Sequence, residues 1–262
     1  MSGVSAALLK RELIIFGTAV MFLTRIPVGR YCSGEPSTLS VSTRYFPLVG
    51  WVVGGLISLC FLVSDYFLPH SLSVALTLWA GVLLTGAFHE DGLADVADSA
   101  GAFTLERKLD IMRDSRVGTY GSLALILLIL IKFIAILEVA LISVPVTVAA
   151  LLVAHILSRW SSVWMMATQV YARPEAANRV VAQGVNSSRL MQATGCAAAL
   201  LLPVAAMSSW WILVCMPIAW VISHVSAYRY RRAYTGITGD CLGATNQLVE
   251  TGIYVVIVAM FS

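Results

Sequence analysis

The sequence predicts an all-α, polytopic membrane helix bundle, with about seven transmembrane helices and a short N-terminal re-entrant or interfacial helix. Three observations predict it. Of the 262 residues, 59% are hydrophobic and only 12% are charged, with a mean hydropathy of +0.85. A soluble domain carries about 25% charged residues, so the polar surface a soluble body needs is missing. Apolar runs of near-spanning length recur along the chain, and the basic residues gather in alternate connections between them. The same figures exclude a disordered chain, a disulfide-stapled secreted module and an ordinary cytosolic enzyme. A net charge of +3 is too small to indicate a nucleic-acid partner.

The first apolar run, Leu13–Leu23, is too short to cross and is bounded by Arg11 and Arg25. A crossing there would strand Lys10 and Arg11 on the far side, so the run reads as re-entrant or interfacial and ends at Pro27. Seven candidate spans follow, at Phe46–Leu68, Ser71–Phe88, Gly118–Ala140, Val146–Thr168, Gln192–Met207, Trp210–Ala227 and Asn246–Phe261. The hydrocarbon core takes about 20 helical residues, so the runs of 16–18 residues are expected to extend at their ends.

Arg25, Arg30 and Arg44 precede the first full span, and Arg107, Lys108, Arg113 and Arg116 lie between the second and third. Arg173, Arg179 and Arg189 separate the fourth and fifth, and Arg229, Arg231 and Arg232 separate the sixth and seventh. The intervening connections hold no Lys or Arg. With Lys10 and Arg11 this places fifteen of the seventeen basic residues, and the positive-inside rule puts these loops in the cytoplasm and the C-terminus outside. The chain reads as one integral membrane domain over 1–262, with cytoplasmic loops near 25–45, 89–117, 169–191 and 228–245. No signal peptide is evident after Lys10 and Arg11. The five cysteines show neither CxxC nor zinc-ligand spacing and are expected to be free thiols.

Lys132 and Arg159 fall inside spans, scattered along the sequence, with Glu138, His155, His224 and Glu250 nearer span ends. Such groups cost about 2.5–3.5 kcal/mol each on insertion scales and face a bundle interior or a polar cavity. Interhelical ion pairing or snorkelling accounts for them equally well. A cavity-facing cation makes Lys132 a substrate-binding candidate.

Half of all the acids, seven of fourteen, lie between His89 and Val117. In FHEDGLADVADSAGAF, the carboxylates of Glu90, Asp91, Asp95 and Asp98 have no basic neighbour before Arg107. On a helix Asp91, Asp95 and Asp98 share one face at i, i+4 and i+7. A solvated face interleaves Lys with Glu, and this one does not. Oxygen ligands without His or Cys suit Mg²⁺ or Mn²⁺, so these four are candidate metal ligands, against the alternative of a plain solvated acidic loop.

MRDSRVGTYG then supplies Arg113, Asp114 and Arg116, with Gly118 and Gly121 around Tyr120. Arginine forks hold phosphate oxygens, and glycines let backbone N–H groups approach an anion. RYRRAYTGITGDCLGATNQLVE adds a basic run, equally readable as a lipid anchor, and a Gly-rich turn from Thr238 to Gly243 with Asp240 and Asn246. Arg25 and Arg44 sit in RIPVGR and RYFPLVG. The candidate catalytic residues are Asp91, Asp95, Asp114 and Asp240. The substrate-binding candidates are Arg25, Arg44, Arg113, Arg116, Asn246 and Lys132. Together these point to phosphoryl transfer at the cytoplasmic interface.

FHEDGLADVADS, MRDSRVGTYG and TGDCLGATNQ, with TRIPVG and RYFPLVG, closely resemble the cobalamin synthase family of adenosylcobinamide-GDP ribazoletransferases, from about Thr24 to Glu250. The resemblance implies a bacterial inner-membrane enzyme that joins adenosylcobinamide-GDP to α-ribazole or its 5′-phosphate and releases GMP, using Mg²⁺. It also leaves room for a homo-oligomer or for association with other enzymes of cobalamin synthesis. The acidic motif is loosely similar to the DxxDGxxAR pattern of CDP-alcohol phosphotransferases, but Asp95 stands where that pattern has Arg. A small-molecule transporter is the alternative of a different class. It would place its densest ionisable cluster at mid-membrane, whereas the densest cluster in this sequence is in a loop.

Overall fold

The computed structural model describes residues 2–172 and 184–261, so Arg173 and Arg179 of the 169–191 connection lie outside the described residues. The described residues are helical with no strand; one isolated parallel bridge joins Tyr171 to Ile237. Among the described residues six helices are long and apolar enough to cross a membrane, or seven if one bent pair counts as a single span, which establishes a multi-pass membrane bundle.

Helix α1, Ser2–Leu23, is longer than its apolar run because Ala, Leu, Lys, Arg and Glu before Leu13 are all strong helix formers. Lys10, Arg11 and Glu12 interrupt its middle, and it is not among the apolar crossing helices. A short helix α2, Pro36–Ser42, opens with proline in the first turn and leads through a 3₁₀ turn into α3, Phe46–Phe67. Helix α4, His70–Thr85, stops short of the expected Phe88 because Gly86 (φ +69°) and Ala87 (φ +59°) both take left-handed backbone. The chain then turns by 89° into α5, Phe88–Ser99.

The segment 89–117 is therefore not a simple loop; it holds α5 and α6, Leu105–Ile111. Helices α7, Thr119–Ile142, and α8, Val144–Thr168, match their expected spans closely. Helix α9, Ser187–Met207, starts five residues before its expected run, and α10, Cys215–Tyr234, begins after a 3₁₀ helix at Trp210–Val214 and continues seven residues past Ala227. Helix α11, Gly239–Phe261, begins seven residues before Asn246, so the Gly-rich stretch read as a turn is largely helix.

Helix α8 is the central post. Its most apolar stretch is 89% buried, against 33% for α7. Without a hydrophobic drive inside lipid, such packing depends on close van der Waals approach. Gly50 and Gly54 of α3 provide it: a Cβ on Gly50 would lie 2.1 Å from the His155 carbonyl oxygen, and one on Gly54 3.0 Å from that of Leu151. Gly50→Ala is expected to destabilise the bundle by about 1–3 kcal/mol through overpacking. Gly55→Ala, where a Cβ meets open space, is the control. Thermal unfolding in detergent would show it, and equal midpoints for the two variants would contradict this packing.

Candidate active site

The site is built where α5 crosses α11. Gly92 and Gly243 let the two backbones touch: a Cβ on Gly92 would lie 2.8 Å from the Asp240 carbonyl oxygen, and one on Gly243 3.2 Å from that of His89. Thr238 caps α11, its hydroxyl accepting the Cys241 N–H at 3.3 Å and donating to the Asp240 carboxylate at 3.2 Å. Asp240 thus stands in the first turn of α11, where the helix dipole favours a negative group, with its backbone against Gly92 in the turn between Asp91 and Asp95. On α5, His89 is buried, Asp91 is exposed, and Glu90, Asp95 and Asp98 are half-buried.

Asp98 has a structural task. Its carboxylate accepts the Gly118 N–H at 2.7 Å and the Gly121 N–H at 2.8 Å, so it caps α7 from another helix. A Cβ on Gly118 or Gly121 would come within about 2.5 Å of that carboxylate. The glycines of GTYG do cradle an anion, but the anion is Asp98. Asp98→Ala is expected to cost about 0.5–2 kcal/mol, as loss of a helix cap does. Gly121→Ala should cost a similar amount, and the double variant little more than either alone. A thermal-unfolding double-mutant cycle checks this, and additive losses would contradict the shared contact.

Among the described residues no three His, Cys, Asp or Glu side chains stand grouped as a ready-made metal cage. Mg²⁺ rarely uses such a cage; it takes one or two carboxylates, keeps water, and completes its shell with substrate phosphate. The donors at the crossing are hard oxygens, and two more oxygens on the same helices, Glu90 Oε and Asn246 Oδ1, are buried without a hydrogen-bond partner. That chemistry fits the ion. Asn246 is wholly buried on α11, with its amide nitrogen unpaired as well.

The arginines divide. Arg25 follows α1, gives its N–H to the Leu84 carbonyl at 2.8 Å, and remains exposed, its side chain lying on Gly86 at the α4–α5 elbow. Gly86 is needed there twice, for its positive φ and because a Cβ would sit 2.2 Å from Arg25 Nε. Arg44 is paired instead with Glu12, which also accepts the Tyr45 hydroxyl at 2.7 Å; this ties α1 to the start of α3. The Tyr45 hydrogen bond, with Arg44 beside it, holds the Glu12 carboxyl below the usual carboxylate range.

Arg113 pairs with Asp110 at 3.4 Å on the exposed face of the α6 end. Arg116 forks onto Asp114 at 2.6 and 3.0 Å, and that hydrogen bonding holds the Asp114 carboxyl down at about 2. The pair is therefore intact above about pH 4 and lost only as the pH falls through about 2. A carboxylate held that low is a weak base at neutral pH, so as a catalytic candidate Asp114 is better suited to orienting Arg116 than to accepting a proton.

Inside the bundle, the in-span charges that are scattered in sequence are gathered in space. Lys132 Nζ of α7 donates to Gln247 at 2.5 Å and Glu250 at 2.6 Å, both on α11. Arg159 of α8 contacts His155 at 2.5 Å, Ser158 at 2.9 Å and Glu250 at 3.5 Å. These groups line one wall of a cavity of about 670 Å³, beside His89 and Glu90. Lys132 is thus both ion-paired and cavity-facing.

Comparison with known proteins decides the relationship. The family described as cobalamin-5-phosphate synthase matches residues 15–258. The chain belongs to the cobalamin-5-phosphate synthase family. It is 40% identical to an adenosylcobinamide-GDP ribazoletransferase of Shewanella amazonensis, over 97% of this chain and 98% of that one. Proteins of the same name from Shewanella woodyi and Shewanella oneidensis are 36% and 37% identical, each over 95% of this chain. Those matches cover 97% and 95% of the two relatives. No solved structure matches.

Within this cobalamin-5-phosphate synthase fold, sequence reading singled out α5, Asp240 and Asn246. It missed Gln247 as a partner of Lys132, and His89 and Tyr254, which line the same cavity as the buried cluster. A signal was present for Gln247, which lies three residues before Glu250 on a helical face, but nothing local marked Lys132 as its partner.

Proposed function

We propose that this chain is an adenosylcobinamide-GDP ribazoletransferase of a bacterial inner membrane, with α5, the start of α11 and Arg25 on the cytoplasmic side. A ribose hydroxyl of α-ribazole, or of its 5′-phosphate, attacks the phosphorus that carries the cobinamide. The new O–P bond forms as the bond to the leaving GMP oxygen breaks, and the hydroxyl proton passes to a carboxylate. The observation that carries this reading is the glycine-mediated crossing of α5 and α11, which sets Asp240 against the turn bearing Asp91 and Asp95.

Asp91, Asp95 and Asp240 are the residues that would hold Mg²⁺. When bound, the ion would neutralise the diphosphate and the charge growing on the leaving phosphate. Arg25 is positioned to hold non-bridging oxygens at the elbow, with Arg113 and Arg116 on the adjoining loop. Of the α5 carboxylates, Asp95 is half-buried and Asp91 exposed, so Asp95 is the better placed to accept the hydroxyl proton in a partly dry site.

Purified protein in liposomes, given both substrates, should release GMP only when donor, acceptor and Mg²⁺ are all present. Mn²⁺ should substitute in part. Absence of GMP from a folded, monodisperse sample with either ion would overturn the proposed activity.

A further inference from the structure

We infer that the intramembrane cavity between α4, α7, α8 and α11 is the binding site for the benzimidazole nucleoside half of the acceptor, reached sideways from the bilayer. The inference rests on the transferase reading above and extends it to a subsite. At about 670 Å³ the cavity falls within the roughly 300–1,000 Å³ of small-molecule sites. Its walls are two-faced. On the α4 and α7 side they are mainly apolar, with Leu78, Val82, Leu128 and Phe133, while Lys132 of α7 reaches to Gln247 and Glu250. On the α5, α8 and α11 side they carry His89, Glu90, Arg159, Gln247 and Glu250.

The polar wall is incompletely satisfied. Arg159 is 1% exposed and His89 3% exposed, yet Arg159 Nε and His89 Nδ1 have no hydrogen-bond partner, and neither has one Glu90 carboxylate oxygen. Orphaned buried polar atoms are rare in folded proteins and mark a missing ligand, ion or water. Here they offer both a donor and an acceptor among the residues that line one cavity. A sugar hydroxyl, which donates and accepts, matches that pair. A flat, apolar benzimidazole matches the opposite wall.

The position of the cavity is also suitable. His89 and Glu90 belong to the same first turn of α5 as Asp91, so a ribose held by that turn lies next to the carboxylates of the proposed reaction centre. Trp79, Ile126 and Leu130 line the cavity and are themselves exposed on the lipid-facing surface of α4 and α7. The opening therefore lies between those two helices. The uncharged nucleoside can enter there, while the large, charged donor stays at the aqueous face.

Gly81 of α4 lines the cavity, and a Cβ there would meet only the Ile57 side chain, at 3.8 Å. Gly81→Leu projects into the cavity without striking backbone. In reconstituted protein this variant should raise the KM for α-ribazole roughly tenfold or more, as filling an apolar subsite does, and leave the KM for adenosylcobinamide-GDP within about twofold. Equilibrium binding of α-ribazole, followed by its benzimidazole fluorescence, should weaken in parallel. Leu78→Trp, on the same wall, serves if Gly81→Leu does not fold.

A folded variant with unchanged acceptor KM and unchanged binding, beside an active parent, would overturn the inference, and a lipid acyl chain would then be the occupant. A parent that binds α-ribazole in competition with the filled cavity but releases no GMP would retain the subsite and overturn the transferase reading instead.

Discussion

Asp91→Ala and Asp95→Asn are each expected to lower the rate of GMP release by about 10²–10³-fold, the usual cost of removing one group that stabilises charge in the transition state. The bundle should remain folded in both cases. Asp91 is exposed, so its truncation empties no core, and Asp95→Asn keeps the side-chain shape. Both changes also relieve the i,i+4 repulsion along α5, by about 0.2–0.5 kcal/mol. Activity should thus fall while the unfolding midpoint stays level or rises slightly. A matching activity loss and drop in midpoint would mean that these carboxylates hold the fold together and do not perform the chemistry. Asp240→Asn should behave like Asp95→Asn and should also raise the Mg²⁺ concentration needed for half-maximal rate.

Glu250→Ala is expected to have the largest effect on stability, about 3–5 kcal/mol, because it leaves buried cations without their counter-charge. Lys132 would lose its ion-pair partner, and Arg159 its only carboxylate among the described residues, although His155 and Ser158 would remain in contact. Lys132, Arg159 and Glu250 lie about 14–20 Å along their helices from the ends that carry the charged connections, so none can snorkel easily to water. Adding Lys132→Met to Glu250→Ala should recover part of the loss, since the pair is then removed as a unit. Thermal unfolding in nanodiscs decides this. If Glu250→Ala unfolds with the parent, the cluster is hydrated in the protein and does not depend on its ion pairs.

The contrast between these two predictions shows what the sequence could reveal. Spans were legible because lipid demands long apolar helices, and α3, α7 and α8 fall close to their expected limits. The acidic helix was legible because four carboxylates without basic neighbours are unusual on any solvated face. The sharp elbow before it was not, because it depends on two successive left-handed residues, one of them Ala87, and on Arg25 arriving from α1.

Charge pairing was the least legible feature. Arg44 carries the right chemistry for phosphate, but the fold brings Glu12 to it. GTYG has the right chemistry for an anion, but Asp98, twenty residues earlier, reaches it. The mid-membrane cluster was hidden for the same reason. Lys132, Arg159 and Glu250 are far apart in the chain and meet only because α7, α8 and α11 pack together.

If the crossing of α5 and α11 forms the metal-dependent reaction centre, metal-directed backbone cleavage will map to it. In reconstituted protein whose Mg²⁺-dependent GMP release has been established, Fe²⁺ would replace Mg²⁺ in the presence of adenosylcobinamide-GDP, and added hydrogen peroxide and ascorbate would generate hydroxyl radicals locally. Cuts confined to Phe88–Ser99 and to the first two turns of α11, suppressed by excess Mg²⁺ and lost in Asp95→Asn, are the predicted result. Mg²⁺-suppressible cuts elsewhere, with α5 and α11 intact, would contradict it.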